Sequence, residues 1–279
     1  MKFIPIFFLI CFSIHSQKFE DSILYKVRKN QEITVSVGAN YEPFYIREPK
    51  AGSPGFEVEL AILFAEYLGV KLKEVVPLQN FGDHAEAVSS GRVDVAFGNS
   101  SSMKRGKLLS FSDPYILTTV GGLVNKNILP PDLEGQIVIN KQFRNMNDIK
   151  NFSALVIGVK DKTSNLEFIK DNFLRATIKP YPNEAEALKA LENNDINCYA
   201  ADSLFIEGLL QLNPYLKARM QPLLGNVVEK QQSIAVKKDD ILFLAEANFF
   251  IRELKRTGKI NQLKEKYFNS NIWVQNLKK

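Results

Sequence analysis

The sequence predicts an α/β fold of two similar lobes, with mainly parallel sheets, helices on both faces and a ligand cleft between the lobes. Three observations carry that expectation. The order strand-helix-strand-helix-strand runs from residue 33 to 98, the helix-strand pattern returns from 157 to 202, and each half ends on a polar loop after its last strand. In open sheets of this kind, loops at the C-terminal strand ends gather helix N-termini and free amides, so a ligand is expected there.

In chain order, ITVSVG (33–38) alternates β-branched residues and reads as a strand. GFEVELAILFAEYLGV (55–70) carries apolar residues at helical spacing up to a stop at Gly69. VKLKEVVPL (70–78) is a second strand, GDHAEAVSSG (82–91) a short helix ended by Gly91, and VDVAFG (93–98) a third strand. After it, SSSMKRGKLLSFSDPY (100–115) reads as a loop closing on a Phe-Ser-Asp-Pro-Tyr corner. NKNILPPDLEGQIVINKQ (125–142), with Pro130, Pro131 and Gly135, reads as a loop or short hairpin extension between the halves. The second half gives strand, turn and helix over 157–174, the strand TIKPY (177–181), then helix and strand over 183–202. The segment 241–268 reads as two helices broken at Gly258.

At 279 residues, 45% apolar and 24% charged, the chain has the make-up of a soluble globular protein. Its start, MKFIPIFFLICFSIHSQ, has one cation, an apolar run and then small polar residues, the layout of a secretory signal peptide. Cleavage is expected after Ser16, which makes residues 1–16 the signal. The apolar run falls short of the roughly 20 residues a membrane anchor needs. Cys11 is a poorer candidate for lipid attachment, because Ile10 precedes it where a small residue is expected.

Signal removal leaves Cys198 as the one cysteine, and its strand-like surroundings make it a buried thiol rather than a nucleophile. The formal charge of +5 falls to about +4 with the loss of Lys2. The lysines are dispersed and not interleaved with aromatics, so they read as solvated surface and not as a nucleic-acid face. No His, Cys or carboxylate cluster has metal-ligand spacing, and no cofactor is implied. His84 reads as a surface residue near a helix start, and Glu57 and Glu59 as acids favouring a helix dipole.

The pieces YEPF, GFEVELA, GRVDVAF, SSSMKRGKLLSFSDPY, IGVKDKTSN, NNDINCYAAD and SIAVKKDD, in this order and spacing over about residues 31–272, together resemble the extracytoplasmic solute-binding proteins of the polar amino acid type, family 3. The resemblance implies a two-lobed periplasmic-binding-protein-like type II fold, with lobe 1 over 31–115 plus 230–279 and lobe 2 over 116–229. It places on Arg105 the grip on a ligand's α-carboxylate, a role suited to a planar guanidinium. Ser100 and Ser101, with Ser102, fall where that family offers hydroxyls and amides to the same carboxylate, although the stretch from Asp94 to Arg105 is one residue short. Asp202 matches the aspartate that receives the α-ammonium, and could equally cap the helix that follows. Tyr41 matches the tyrosine that covers the ligand, while Phe44 beside it reads as core. Thr163 and Ser164 match a turn at a helix N-terminus in which Lys162 replaces the usual glycine, and Lys162 itself reads as solvated.

The resemblance therefore implies a periplasmic monomer that closes over an amino acid and delivers it to the membrane permease of an ABC transporter, with no catalytic residue. Two other classes share the fold: a cyclohexadienyl dehydratase-like enzyme, and a ligand-sensing subunit of a signalling system. VGAN lacks the acid that basic-amino-acid binders often carry just before the tyrosine, so polar or acidic ligands are expected over lysine and arginine.

Overall fold

The computed structural model describes residues 19–49, 52–132, 135 and 142–277. The expected signal, Cys11 and most of the expected hairpin extension lie outside these residues.

The strands are β1 (Glu32–Gly38), β2 (Lys71–Leu78), β3 (Val95–Ser100), β4 (Leu109–Val124), β5 (Val156–Lys160), β6 (Thr177–Tyr181), β7 (Cys198–Asp202), β8 (Gln221–Leu223) and β9 (Glu229–Lys237). The helices are α1 (Ile23–Asn30), α2 (Phe56–Leu68), α3 (Phe81–Ser90), α4 (Ser164–Asn172), α5 (Glu184–Glu192), α6 (Ser203–Leu212), α7 (Leu216–Arg219), α8 (Ile241–Arg256), α9 (Lys259–Lys264) and α10 (Ile272–Leu277). The strands hydrogen-bond in the order β2-β1-β3-β9-β4-β7-β5-β6, with β8 on β4.

Each half has a parallel trio. Val35 of β1 faces Val75 of β2 and Val95 of β3, and Gly158 of β5 faces Lys179 of β6 and Tyr199 of β7. These are the crossovers that the strand-helix order calls for. The antiparallel part comes from β4 and β9. β4 pairs with β9 from Leu109 to Thr119 and then with β7 from Val120 to Val124, so one strand runs from the first half into the second.

The Phe-Ser-Asp-Pro-Tyr corner of the sequence reading is therefore corrected: it lies inside β4. The pairing with β9 shifts register on both sides of Pro114. Proline has no N–H to donate to the ladder, so the strand bulges there and continues.

The buried apolar residues divide the same way. One core joins Leu24–Ile116 to Ile234–Val274 and is dense in rings, with Phe44, Phe56, Phe64, Phe243 and Trp273. Two further clusters lie within Val120–Leu223. Phe44 and Cys198 are buried in these cores, and burial pushes the Cys198 thiol far above its usual range. The break at Gly258 holds, with φ of 74° between α8 and α9.

Candidate functional site

Three helix starts surround one cleft. Asn80 caps α3 in a reciprocal capping box with Asp83, Thr163 caps α4 through its hydroxyl, and Asn183 caps α5. The cleft is lined from the first half by Tyr41, Phe81, His84, Ser100 and Arg105, and from the second by Lys160, Thr163, Ser164, Glu184 and Asp202. Lys162, Asn165 and Lys230 add to the charged and polar wall, with Asn99 and Gln232 beside them.

Arg105 follows β3 and opens a short turn. Its backbone N–H donates to Ser102 Oγ (3.2 Å), its Nη1 donates to the Ser100 carbonyl (3.1 Å), and its guanidinium lies 4.3 Å from the Phe81 ring centre. The stacking fixes the plane of the fork, and among the described residues only one of its five N–H groups is engaged. Burial lowers its pKa, while Glu167 and Asp202 oppose that shift. The guanidinium stays ionised.

Asp202 ends β7 at the position before α6, yet its carboxylate makes no cap bond to that helix. One oxygen accepts from the Tyr41 hydroxyl and the other from Lys230 Nζ, which also donates to Asn165 Oδ1 at 2.8 Å. The ammonium that Asp202 holds here is thus the chain's own. Tyr41 stacks on Phe205 of α6, with ring centres 4.5 Å apart and planes 7° apart, so one side chain ties the two halves at the cleft floor.

The serine run separates. Ser100 is buried in the cleft wall, whereas Ser101 does not line the cleft and Ser102 is exposed. Thr163 and Ser164 line it, although the Thr163 hydroxyl is occupied, donating to the Lys160 carbonyl (2.8 Å) and accepting from Leu166 N–H (3.2 Å). Lys162 adopts φ of 57°, the left-handed backbone that explains why glycine suits this place in the turn.

His84 is not the surface residue expected. It is 3% exposed, and its Nδ1 lies 2.8 Å from the hydroxyl of the fully buried Ser36. Among the described residues the ring is the one acceptor that hydroxyl reaches, so Ser36 donates, Nδ1 accepts, and the neutral ring keeps its proton on Nε2. Burial lowers the His84 pKa to about 4, aided by Arg105 and Lys160. Ser36 is sealed from the cleft and cannot act as a nucleophile through it.

Glu57 sits behind β3. It accepts from Tyr115 Oη (2.7 Å), which in turn accepts from Gly98 N–H (2.7 Å). Gly98 has φ of 74°, and a Cβ there would stand 2.6 Å from Glu57 Oε2, so only glycine lets the strand cross this carboxyl. Glu59 instead binds Lys266 and accepts from Tyr267 Oη (2.5 Å).

Sequence reasoning missed Lys160, Glu184, Asn165 and Lys230 at the cleft. Lys160 ends β5 and Glu184 opens α5, places where the strand-end rule could have found them. Lys230 lies on β9, whose register has no local signal.

The family model for bacterial extracellular solute-binding proteins, family 3, matches residues 33–270. The L-cystine-binding protein TcyJ of Escherichia coli (strain K12) is 25% identical over 256 residues, spanning 91% of this chain and 88% of that one. Membrane-bound lytic murein transglycosylase F of Idiomarina loihiensis is 27% identical over 87% of this chain but only 50% of its own length. Among solved structures, a binding component of an ABC transporter from Wolinella succinogenes, complexed with lysine, superposes with a TM-score of 0.75 at 24% identity, covering 88% of this chain and 99% of that one. That likeness shows the two-lobed fold. Fold and family match agree, and the chain belongs to the bacterial extracellular solute-binding proteins, family 3.

Proposed function

We propose that the chain captures one small zwitterionic solute, an amino acid, in this cleft and hands it to the permease of an ABC-type importer. It works in the periplasm as a monomer after residues 1–16 are removed, without turning the ligand over. The observation that supports this reading is the placement of Arg105 and Asp202 on one cleft from opposite halves, near enough for each other's charge to be felt. A guanidinium fork for a carboxylate and a carboxylate for an ammonium are complementary to the two ends of an amino acid. Closing residues 31–115 with 230–279 onto 116–229 would desolvate both charges, linking binding to shape.

A thermal-shift and calorimetric screen of the purified mature protein against the common amino acids tests it. At least one is expected to bind with micromolar or better affinity, about −8 kcal/mol or stronger. If none stabilises the protein at millimolar concentration, the amino-acid reading falls.

One observation supports the enzyme reading as a second choice. Glu184 lines the cleft, and burial raises its pKa, as a general acid requires. Turnover of prephenate or arogenate, lost in Glu184→Gln, would favour it over capture alone.

A further inference from the structure

The cleft carries more positive charge than a zwitterion needs. Arg105, Lys160, Lys162 and Lys230 line it against Glu184 and Asp202, four cations to two carboxylates. The carboxylates are already engaged. Asp202 is held by Lys230 and Tyr41, in an ion pair whose side chains are 6% and 9% exposed. Glu184 accepts from the Tyr199 hydroxyl, and its burial disfavours its charged form.

Lys160 is the buried cleft cation with no direct partner among the described residues. It is 7% exposed, at the end of β5, and among the described residues its ammonium makes no hydrogen bond and no ion pair within 4 Å. Glu184 is the carboxyl whose charge it offsets, yet the two form no ion pair, and an ammonium this buried is normally paired directly. Beside it, His84 offers an Nε2–H and Arg105 keeps most of its fork free; the Gln232 Oε1 is an acceptor left over in the same cleft, so among the described residues the unengaged charge is cationic and the unengaged donors outnumber that acceptor.

We propose that the solute carries two acidic groups, one held by Arg105 and the other by Lys160, which makes it a small dicarboxylic acid of amino-acid size. This rests on the reading of the cleft as a solute site and narrows it. Since Lys230 already neutralises Asp202, a second carboxylate contributes more to affinity than an α-ammonium does. The shared chemistry admits an acidic amino acid or its ammonium-free analogue, and the experiment separates the two.

Calorimetric titration of the mature protein with L-glutamate, L-aspartate, 2-oxoglutarate, L-glutamine, L-asparagine and L-lysine is the test. At least one dicarboxylate is expected to bind tenfold or more tightly than its amide, with lysine weakest. Lys160→Met is expected to erase that preference, with the melting temperature of the ligand-free variant showing that it still folds. Lys160→Gln serves as a second variant should the first fold poorly. Glutamine or asparagine binding as tightly as the acids would overturn the proposal and leave the amino-acid reading standing, and so would a preference that survives both variants. Binding of 2-oxoglutarate with none of the amino acids would keep the anionic class and sink the amino-acid reading. If nothing in the set binds, the dicarboxylate proposal fails, and the amino-acid reading stands or falls on the wider screen.

Discussion

Arg105→Ala separates a binding role from a structural one, because the two roles have different magnitudes at this residue. In the protein alone the substitution removes one charge-assisted hydrogen bond to the Ser100 carbonyl and the contact with Phe81. A hydrogen bond to a charged group contributes about 1.5 kcal/mol or more, and a cation over a ring about 0.5–1 kcal/mol. Water replaces part of both at a partly exposed site, so the expected loss of fold stability is about 1–2 kcal/mol. A bound carboxylate fares worse. Left without its partner in a closed cleft, it should forfeit about 3–5 kcal/mol, or roughly two to four powers of ten in affinity. Urea denaturation measures the first number and isothermal titration the second. Arg105→Lys, which keeps the charge but not the fork, should fall between parent and alanine. Arg92→Ala is the control. Arg92 is exposed in the turn before β3, and its loss should stay within about 0.5 kcal/mol. If Arg105→Ala binds the same solute within threefold of the parent, the charge clamp is wrong. If it unfolds the protein, the arginine is structural.

The elements that hydrophobic period announces are the ones the sequence shows. ITVSVG became β1, the run from Phe56 to Leu68 became α2, and the glycines at 69, 91 and 258 stand at helix ends with positive φ. β4 escaped because its middle carries Ser112, Asp113 and Pro114, residues that mark a turn locally and are tolerated here by bulges against β9. Of the residues the resemblance singled out, Tyr41, Ser100, Arg105, Thr163, Ser164 and Asp202 line one cleft and Ser101 does not. The charge balance was illegible for a physical reason. Whether Lys160, Lys230 and Glu184 face a cleft or water depends on the register and twist of β5 and β9 and the start of α5, and a single lysine or glutamate reads the same either way.

Two further predictions concern buried groups beside the cleft. Tyr41→Phe keeps the ring on Phe205 and removes the hydroxyl that Asp202 accepts from, so urea denaturation should show a loss of about 1.5–3 kcal/mol; no change would mean that Lys230 alone satisfies the carboxylate. Glu57 should impose a pH dependence. Burial, opposed by the Tyr115 hydrogen bond and reinforced by Asp202, raises its pKa from 4.5 to about 7. Between those values the folded state holds a proton that the unfolded state has released, so the stabilisation is complete below pH 4.5 and lost as pH rises through 7, about 3 kcal/mol in all. His84 acts in the opposite sense: its pKa is lowered from 6.5 to about 4, so its contribution is present above 6.5 and lost as pH falls through 4. The two nearly cancel in the parent, and a flat profile there would prove nothing. Glu57→Gln still offers Tyr115 an oxygen but cannot ionise, so its stability should climb by about 3 kcal/mol relative to the parent between pH 4.5 and 7. A difference between the two proteins that stays constant with pH would show that Glu57 is ionised in the fold throughout that window.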